Sequence, residues 1–253
     1  MSLQQSLQQS LEALGLRYAA EHLDDIIAHA ARHKMSPRQL LEYLAHSETE
    51  ARKSRGLARR LDRSRLGRFK PMADYDWNHP TRIDREEAEV ALCAEFVEQA
   101  GNVIIVAANG LGKTMLAKNI AHQALTIGHS VLFVTAAQML LDLSGQESAR
   151  ALEHRLRYYQ RPRLLCIDEI GYLSFDNRNA DLLFEVVRRR YEHKSIVLTT
   201  NLDFSQWQTV FPSAAAAVAL IDRLIHHASI VSIEGESYRK REAEARTTPR
   251  RKK

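Results

Sequence analysis

Residues 107–114 read Ala107-Ala108-Asn109-Gly110-Leu111-Gly112-Lys113-Thr114 and lie between the apolar run 103–106 and a helical pattern that starts at Met115. A strand, a glycine-containing loop and a helix in this order form a phosphate-binding loop, whose backbone N–H groups and helix N-terminus point at phosphate oxygens. The sequence therefore predicts a nucleoside triphosphate site formed by Asn109, Gly110, Leu111, Gly112, Lys113, Thr114 and Met115. Within it, Lys113 would contact the β- and γ-phosphates, and the Thr114 hydroxyl would bind Mg²⁺.

One position of this loop departs from the usual pattern, because Ala107 stands where the first glycine is expected. An alanine that had to adopt a positive φ there would cost about 1 kcal/mol or more. An alanine with a negative φ would leave the phosphate cradle intact. The sequence alone leaves both alternatives open.

A pair of acids, Asp168-Glu169, follows the apolar residues 164–167. An acid at the end of a buried strand beside the phosphate-binding loop can hold the hydration shell of Mg²⁺, and the next acid can polarise the water that attacks the γ-phosphate. An isolated Asp-Glu pair is more often a solvated strand end. The position after a core strand favours metal binding by Asp168, together with Thr114, and catalysis by Glu169.

Two further side chains are candidates for catalysis. Asn201 closes the predicted strand 195–200, where its amide could hydrogen-bond the attacking water or the γ-phosphate; the alternative is a turn with Leu202-Asp203. Arg223 lies on a predicted helix, where an arginine is usually a surface charge. Supplied by a neighbouring subunit, however, an arginine can stabilise the charge that develops at the γ-phosphate and raise the rate about 10³–10⁵-fold.

Strand and helix patterns alternate from residue 84 onward. We predict strands at 103–106, 130–134, 164–167, 195–200 and 230–233, and helices at 84–99, 113–127, 135–143, 147–160, 177–192 and 214–227. Continuous apolar strands between helices indicate a parallel sheet that is covered on both faces and binds ligands at the carboxyl ends of its strands. The predicted fold class is therefore α/β, a P-loop domain with a parallel β-sheet flanked by helices.

The region before this domain has a helical pattern of its own. Its apolar residues recur at helical spacing: Leu11, Leu14, Leu23, Ile26 and Ile27. Gly15 would separate the first two helices, and Ser36-Pro37 would begin another. We place a small all-helical N-terminal domain at 1–50, a basic linker at 51–80, the nucleotide-binding domain at 81–238 and a charged, disordered tail at 239–253.

The linker is exceptionally basic, because nine Lys or Arg residues between positions 52 and 70 stand against a single acid, Asp62. Nucleic-acid phosphates are the natural counter-charge for such a segment, and a solvated, partly flexible connector is the alternative. Because an ATPase signature follows directly, we favour DNA or RNA contact. The candidate DNA-binding residues are Arg52, Lys53, Arg55, Arg59, Arg60, Arg63, Arg65 and Arg68.

Composition narrows the class of protein further. The 253 residues are 45% hydrophobic and carry a formal net charge of +5. No apolar run approaches the roughly 18 residues that a membrane span needs, and the N-terminus lacks the regions of a signal peptide. Cys93 and Cys166 lie in apolar stretches without metal-like spacing, so we expect both thiols to be buried and reduced. These features predict a soluble, cytoplasmic protein.

Residues 101–241 resemble the AAA+ ATPase domain of the IstB family, the transposition helper proteins of bacterial insertion sequences, whose relatives are the DnaC-type helicase loaders. The phosphate-binding loop and the Asp-Glu pair are common to many ATPases. More specific stretches are Arg189-Arg190-Tyr191-Glu192, Asp222-Arg223-Leu224-Ile225-His226-His227 and Gly235-Glu236-Ser237-Tyr238-Arg239. Residues 3–80 are also similar to the helical region and basic linker of the family, so the resemblance covers nearly the whole chain.

The resemblance implies an AAA+ ATPase that uses ATP and Mg²⁺, forms an ATP-dependent homo-oligomer on target duplex DNA and recruits or stimulates a cognate transposase, with no membrane partner. By the same carry-over, Asp168 and Glu169 are the Walker B acids, Asn201 is sensor 1 and Arg223 is the arginine finger. Arg239 would be a second sensor or a DNA contact.

Three other functions remain open at this stage. A DnaC-like replicative helicase loader would prefer single-stranded DNA. A non-hydrolysing DNA scaffold would bind ATP at a loop degraded at Ala107. A small-molecule P-loop kinase would need an arginine-rich lid, which residues 135–163 do not obviously supply.

Overall fold

The computed structural model describes residues 3–172 and 176–241. Contacts divide the chain into two compact units, Met1–Arg59 and Arg60–Lys253. Within the described ranges, no helix is both long and apolar enough to cross a membrane. The predicted C-terminal tail begins within a helical turn at 238–241, and the rest of it, 242–253, lies outside the described residues.

The first unit is helical, as predicted. It contains α1 (Leu3–Ala13), α2 (Arg17–Glu21), α3 (Leu23–Arg32) and the first part of α4 (Pro37–Ser64). Its buried core consists of Leu11, Ala19, Ala20, Leu23 and Ile26. Leu14 and Ile27 recur at the same helical spacing as these core residues, but 72% and 49% of their surfaces are exposed. Helical spacing alone does not say how wide the buried face of so small a bundle is.

Two local signals place the helix ends of this unit. Gly15 adopts a φ of +74° between α1 and α2, a conformation that a residue without a Cβ adopts at little cost. The Ser36 hydroxyl accepts from the Gln39 N–H and the Gln39 side chain accepts from the Ser36 N–H, which is a capping box before Pro37. From there α4 continues without a break through the first part of the predicted basic linker. The domain boundaries inferred from composition stay predictions.

A buried acid on α4 joins the helices of the first unit. The Glu48 side chain is only 3% exposed, accepts from the Ala19 N–H at 3.1 Å and from Arg55 at 2.9 Å, and pairs with Arg52. Burial raises the pKa of this carboxyl, but the hydrogen bonds from Ala19, Arg55 and Arg52 outweigh burial and lower the pKa below its usual 4.5. Glu48 therefore stabilises the unit as a carboxylate.

We expect the Glu48→Gln variant to lose about 2–4 kcal/mol of local stability near pH 7, because two arginines would face a buried amide. A carboxyl whose pKa is lower in the folded state contributes stability above its unfolded pKa of about 4.5 and loses it as pH falls through the folded value. The gap between wild type and variant should therefore close in acid. Hydrogen exchange of residues 16–32 measures it. Glu42→Gln is the matched control, because the exposed Glu42–Arg38 pair should contribute under about 1 kcal/mol. Equal exchange of wild type and Glu48→Gln at pH 7 would contradict the assignment.

The second unit is built on a six-stranded sheet with the order β1-β6-β2-β5-β4-β3. The strands are β1 (Arg82–Ile83), β2 (Asn102–Ala107), β3 (Val131–Thr135), β4 (Leu164–Asp168), β5 (Ser195–Thr200) and β6 (Ala228–Glu234). Every neighbouring pair from β6 to β3 is parallel, which confirms the predicted architecture. The two-residue β1 was not predicted, and it pairs with β6 antiparallel at the edge.

Helices cover both faces of this sheet: α5 (Arg85–Cys93), α6 (Lys113–Thr126), α7 (Ala136–Ser144), α8 (Ala149–Gln160), α9 (Asn177–Arg190), α10 (Trp207–Val210) and α11 (Ala214–Ile225). Leu165 and Ile167 of β4 pack into one cluster with α7, α8, α9 and α11. The alternate residues Leu164 and Cys166 are buried as well. A strand with buried side chains on both faces reads as a continuous apolar run, which is why the strands were predictable.

Two predictions in this unit were wrong. The helix predicted at 84–99 ends at Cys93, because Ala94 adopts a left-handed φ of +59° and a short 3₁₀ turn follows at Glu95–Val97. Cys166 is buried as expected, but Cys93, at the end of the shortened helix, is exposed. An apolar neighbourhood in sequence does not decide on which side of a terminal helical turn a residue falls.

Arg190, the last residue of α9, has no exposed surface. Its guanidinium donates to the carbonyl oxygens of Tyr159, Gln160, Pro162, Arg163 and Ser195. Carbonyl dipoles thus surround a charge that would otherwise be costly to bury. Arg190 therefore fastens the end of α9 to the segment that leads into β4 and to the start of β5.

Candidate nucleotide-binding site

The phosphate-binding loop connects β2 to α6 as predicted. Gly110 and Gly112 have φ values of +82° and +89°, whereas Ala107 is the buried last residue of β2 and is not among the described residues with positive φ. Alanine is therefore unstrained at that position, and the second of the two alternatives for Ala107 holds. Both glycines also permit close approaches. A Cβ on Gly110 would lie 2.1 Å from Ser237 Oγ, and one on Gly112 would lie 2.6 Å from Tyr75 Cε2.

Lys113, the first residue of α6, is 7% exposed. Its Nζ donates to the carbonyl oxygens of Ala107 at 2.6 Å and Ala108 at 2.9 Å. Burial lowers the pKa of Lys113, and the carboxylates of Asp168 and Glu169 act in the opposite direction. The ammonium group is thus held at the mouth of the loop by two carbonyls that phosphate oxygens could replace.

The next residue, Thr114, reaches the acid at the end of β4. Its Oγ1 donates to the two carboxylate oxygens of Asp168 at 3.0 and 3.1 Å, and Asp168 is only 4% exposed. Hydroxyl and carboxylate oxygens are the ligands that Mg²⁺ prefers. The arrangement therefore fits a divalent cation held beside the phosphate-binding loop.

Thr199 of β5 contacts both acids, and it is not among the site residues predicted from the sequence. Its hydroxyl donates to Asp168 Oδ1 at 2.5 Å and accepts from the Glu169 N–H at 2.9 Å. One side chain thus holds both the carboxylate and the backbone that aims Glu169. The only signal in the sequence was a hydroxyl residue near the end of an apolar strand.

Glu169 itself adopts a left-handed φ of +63°. Non-glycine residues rarely do so, and such conformations cluster at functional sites. Its side chain is exposed and lines the cavity at the phosphate-binding loop. The buried Asp168 and the accessible Glu169 therefore face different surroundings, as a metal-binding acid and a proton-accepting acid require.

Asn201 follows β5 and packs against the turn after Glu169. Its Oδ1 is buried without a hydrogen-bond partner in the described structure. A Cβ on Gly171 would lie 2.1 Å from this oxygen, so the glycine is what allows the approach. An unpaired buried amide oxygen is available to a water molecule or a ligand.

The cavity over the loop has a volume of about 430 Å³, and part of its wall was not expected. Tyr75 donates to the Leu111 carbonyl at 3.2 Å, and the Tyr238 N–H donates to the Gly110 carbonyl at 3.1 Å. Asp76, His79 and Arg239 line the same cavity. Residues 75–80 end the predicted linker 51–80, and nothing local in their sequence shows that this segment packs against the phosphate-binding loop.

Arg223 lies elsewhere. It is on α11, where its guanidinium donates to the Ala219 carbonyl at 3.0 Å and lies 4.8 Å from the Phe184 ring centre. It is not among the described residues that line the cavity. The structure thus brings together the loop residues, Asp168, Glu169 and Thr199, with Asn201 adjacent, but it does not bring Arg223 to the same subunit's cavity.

The basic segment is divided between structural and free side chains. Arg52 and Arg55 pair with Glu48, Lys53 pairs with Glu50, Arg60 donates to the Leu125 carbonyl, and Arg65 lies over the Tyr158 ring. Glu48 and Glu50 precede the segment 52–70, so the charge balance of that segment does not include them. Arg59, Arg63 and Arg68 are exposed, and their side chains make no ion pair or hydrogen bond in the described ranges.

The end of this segment is attached to α6, the helix that follows the phosphate-binding loop. Lys118 donates to the Arg68 carbonyl at 3.2 Å. Asn119 donates to the Lys70 carbonyl at 2.9 Å and accepts from the Met72 N–H at 3.1 Å. The helix that would carry bound phosphate at its N-terminus therefore also holds the chain beside Arg68.

Comparison with known proteins places these features in a family. The model of the IstB-like ATP binding protein family matches residues 9–246. A Pseudomonas aeruginosa protein named for insertion sequence IS21 and for ATP binding is 34% identical over 92% of this chain and 88% of its own length. A Bacillus thuringiensis protein named in the same way for IS232 is 33% identical over 93% of this chain and 94% of its own length.

Solved structures share the fold at low identity. The crystal structure of DnaI has a TM-score of 0.54 and 20% identity, over 68% of this chain and 91% of DnaI. The replication initiator DnaA, bound to AMPPCP and single-stranded DNA, has a TM-score of 0.55 and 18% identity, over 72% of this chain and 56% of DnaA. These similarities show the AAA+ fold. The family match and the two relatives establish that this chain belongs to the IstB-like ATP binding proteins associated with insertion sequences.

Proposed function

We propose that this protein is an ATPase that assembles on target duplex DNA in an ATP-dependent way and recruits or stimulates the transposase of an insertion sequence. The observation that carries the ATPase part is the network in which Thr114 and Thr199 both bond to Asp168, beside Lys113 and Glu169. The relatives named for insertion sequences support the role in transposition.

The residues of the network fit ATP with Mg²⁺. The backbone N–H groups of the loop would bind phosphate oxygens, and Lys113 would exchange its two carbonyl acceptors for them. Thr114 and Asp168 would hold Mg²⁺, which when bound neutralises charge on the β- and γ-phosphates. Arg239 lines the cavity, so a contact with the nucleotide suits it better than a contact with DNA.

Hydrolysis needs an attacking water with a proton acceptor. Glu169 is exposed to the cavity and would accept the proton of a water that attacks the γ-phosphate, which leaves ADP and inorganic phosphate. The unpaired Oδ1 of Asn201 would accept a hydrogen bond from the same water. During this step, the hydrogen bonds of Thr199 would hold Asp168 and the backbone of Glu169 in position.

Contact with DNA is proposed for the basic residues that other contacts do not occupy. Arg59, Arg63 and Arg68 are exposed and unpaired within the described residues, so phosphates can approach them without breaking an existing bond. Each phosphate contact releases condensed counter-ions, so binding weakens as salt rises, with a logarithmic slope of about −0.9 per contact on duplex DNA.

We expect the double variant Arg63→Glu, Arg68→Glu to bind duplex DNA at least tenfold more weakly and to flatten the salt slope by about 2, because two phosphate contacts are lost. The loss should be similar for duplexes of unrelated sequence. Fluorescence anisotropy with ATP, between low and moderate salt, measures both quantities. Arg150→Glu is the control, since Arg150 is an exposed arginine outside the basic segment.

Two outcomes would overturn the DNA part of the proposal. An unchanged salt slope would assign these arginines to another partner or to solvent. Tighter binding to a single-stranded oligonucleotide of equal length would favour the DnaC-like helicase loader instead.

Co-sedimentation of the ATP-bound DNA complex with the transposase of the same element tests recruitment, and failure to co-sediment would contradict it.

A further inference from the structure

Three side chains of types that bind metals lie close together near the amino-terminal ends of the strands, opposite the nucleotide cavity. Glu192 follows the end of α9, and His226 and His227 stand between α11 and the first residue of β6. The nucleotide cavity is at the carboxyl ends of the strands, whereas Ala228 and Ser195 are the amino-terminal residues of β6 and β5. The cluster is therefore separate from the ATP site, and the proposed hydrolysis uses none of its side chains.

The three side chains converge within reach of a single ion. One ligand atom from each of Glu192, His226 and His227 lies within 4.8 Å of the other two, and His227 Nε2 is 3.9 Å from Glu192 Oε1. Ligand atoms around a tetrahedral zinc ion, at bonds of about 2.0–2.2 Å, are roughly 3.3–3.5 Å apart. Side-chain rotations that move the ligand atoms by about 1 Å would bring them to the spacing of a zinc site. No other group of three His, Cys, Asp or Glu in the described ranges meets the same condition.

Neighbouring groups orient the cluster. His226 Nδ1 is 2.9 Å from the Tyr191 hydroxyl. If Nδ1 donates its proton there, Nε2 keeps a lone pair for a metal, which is the usual arrangement of metal-binding histidines. Asn102 also holds the backbone at the cluster in place. Its backbone N–H donates to the His227 carbonyl at 2.7 Å, and its side-chain amide donates to the Leu224 carbonyl at 3.1 Å.

We propose that Glu192, His226 and His227 form a binding site for a divalent metal ion of borderline softness, such as Zn²⁺. Two imidazoles and a carboxylate suit such an ion, whereas Mg²⁺ prefers oxygen ligands alone. Three protein ligands leave one position open to water or to a group from another molecule. The ion would join the end of α9 to the end of α11, the helix that carries Arg223.

The test is a Zn²⁺ titration of the full chain, without an affinity tag or nucleotide, in competition with a chromogenic chelator. Excess Mg²⁺ keeps Zn²⁺ away from Asp168. His29 lies in the last turn of α3 and His33 directly follows this helix, with ring centres 4.3 Å apart, so a His29→Ala, His33→Ala background removes a second pair that could bind the probe. In that background we expect one saturable equivalent of Zn²⁺.

The Glu192→Gln and His227→Ala variants should each bind Zn²⁺ at least tenfold more weakly. His193→Ala should bind as the background does, because His193 is the exposed neighbour of Glu192 but is not part of the cluster. Circular dichroism checks that each variant is folded. The proposal is overturned if no saturable equivalent binds, or if Glu192→Gln and His227→Ala bind as tightly as His193→Ala. Because nucleotide is absent, neither result depends on the proposed ATPase function.

Discussion

Mixing the Arg223→Ala and Lys113→Ala variants is expected to restore ATP hydrolysis that neither variant shows alone. Arg223→Ala has an intact phosphate-binding loop but lacks the finger, and Lys113→Ala has the finger but lacks a working loop. Arg223 bonds to its own helix and does not line its own subunit's cavity, so we expect it to serve the site of a neighbouring subunit. Only mixed interfaces would then be active.

Removing an arginine finger costs about 10³-fold or more in rate. In an equal mixture, ATP-dependent interfaces form only at the loops of Arg223→Ala subunits, and about half of those loops would meet an intact finger, so about a quarter of all sites would be active. Phosphate release with DNA should therefore recover to about a quarter of the wild-type rate, far above either variant.

Arg150→Ala is the control for a lost surface arginine, and Arg223→Lys separates the planar guanidinium from the charge alone. The Arg223→Ala variant should still bind ATP, since its own cavity is untouched. Wild-type hydrolysis by Arg223→Ala, or a mixture no more active than its parts, would show that Arg223 is a structural residue of α11.

The second large effect is a contrast between Lys113→Ala and Glu169→Gln. Lys113→Ala should abolish ATP-dependent assembly, because the buried ammonium that would bind the β- and γ-phosphates is lost. Glu169→Gln should keep ATP binding but lose hydrolysis by about 10²–10⁴-fold, the usual contribution of a general base. The same backbone conformation is required of both residues at position 169, so the difference reports on the carboxylate.

Sedimentation velocity with duplex DNA measures this contrast. Glu169→Gln should remain as a large ATP-bound complex on DNA after the wild type has dissociated. Lys113→Ala should sediment identically with and without ATP. Glu95→Gln is the control, as an exposed carboxylate away from the cavity. If ATP leaves the sedimentation of Glu169→Gln unchanged, the proposed ATP-dependent assembly on DNA is wrong.

The strands and the phosphate-binding loop could be predicted because their signals are local. Buried parallel strands are continuous apolar runs, and a loop that approaches phosphate needs glycine at positions such as Gly110 and Gly112, whose φ values are positive. Asp168 and Asn201 could be named as candidates for a similar reason, because Asp168 ends one apolar strand and Asn201 follows another. Even the departure at Ala107 could be reduced to two alternatives, which the negative φ of that residue then decided.

Residues whose role depends on a distant neighbour could not be predicted. Thr199 matters only because β5 pairs with β4, which places its hydroxyl between Asp168 and the Glu169 backbone. Tyr75 matters only because its segment folds over the loop. Arg189 and Arg190 are adjacent in the chain, yet Arg189 forms partly buried ion pairs with Glu153 and Glu185, and Arg190 is fully buried among carbonyls.

The sequence by itself therefore determined the α/β class, the nucleotide loop, the two acids and the strand-end asparagine, since each follows from local pattern and chemistry. The tertiary structure decided that Arg60 and Arg65 are engaged, because Arg60 donates to the distant Leu125 carbonyl and Arg65 lies over the distant Tyr158 ring. It also decided that Arg223 lies away from its own cavity and that Glu192 meets His226 and His227. These contacts join residues far apart in the chain, and their pairing depends on strand order and helix packing, which no local spacing encodes.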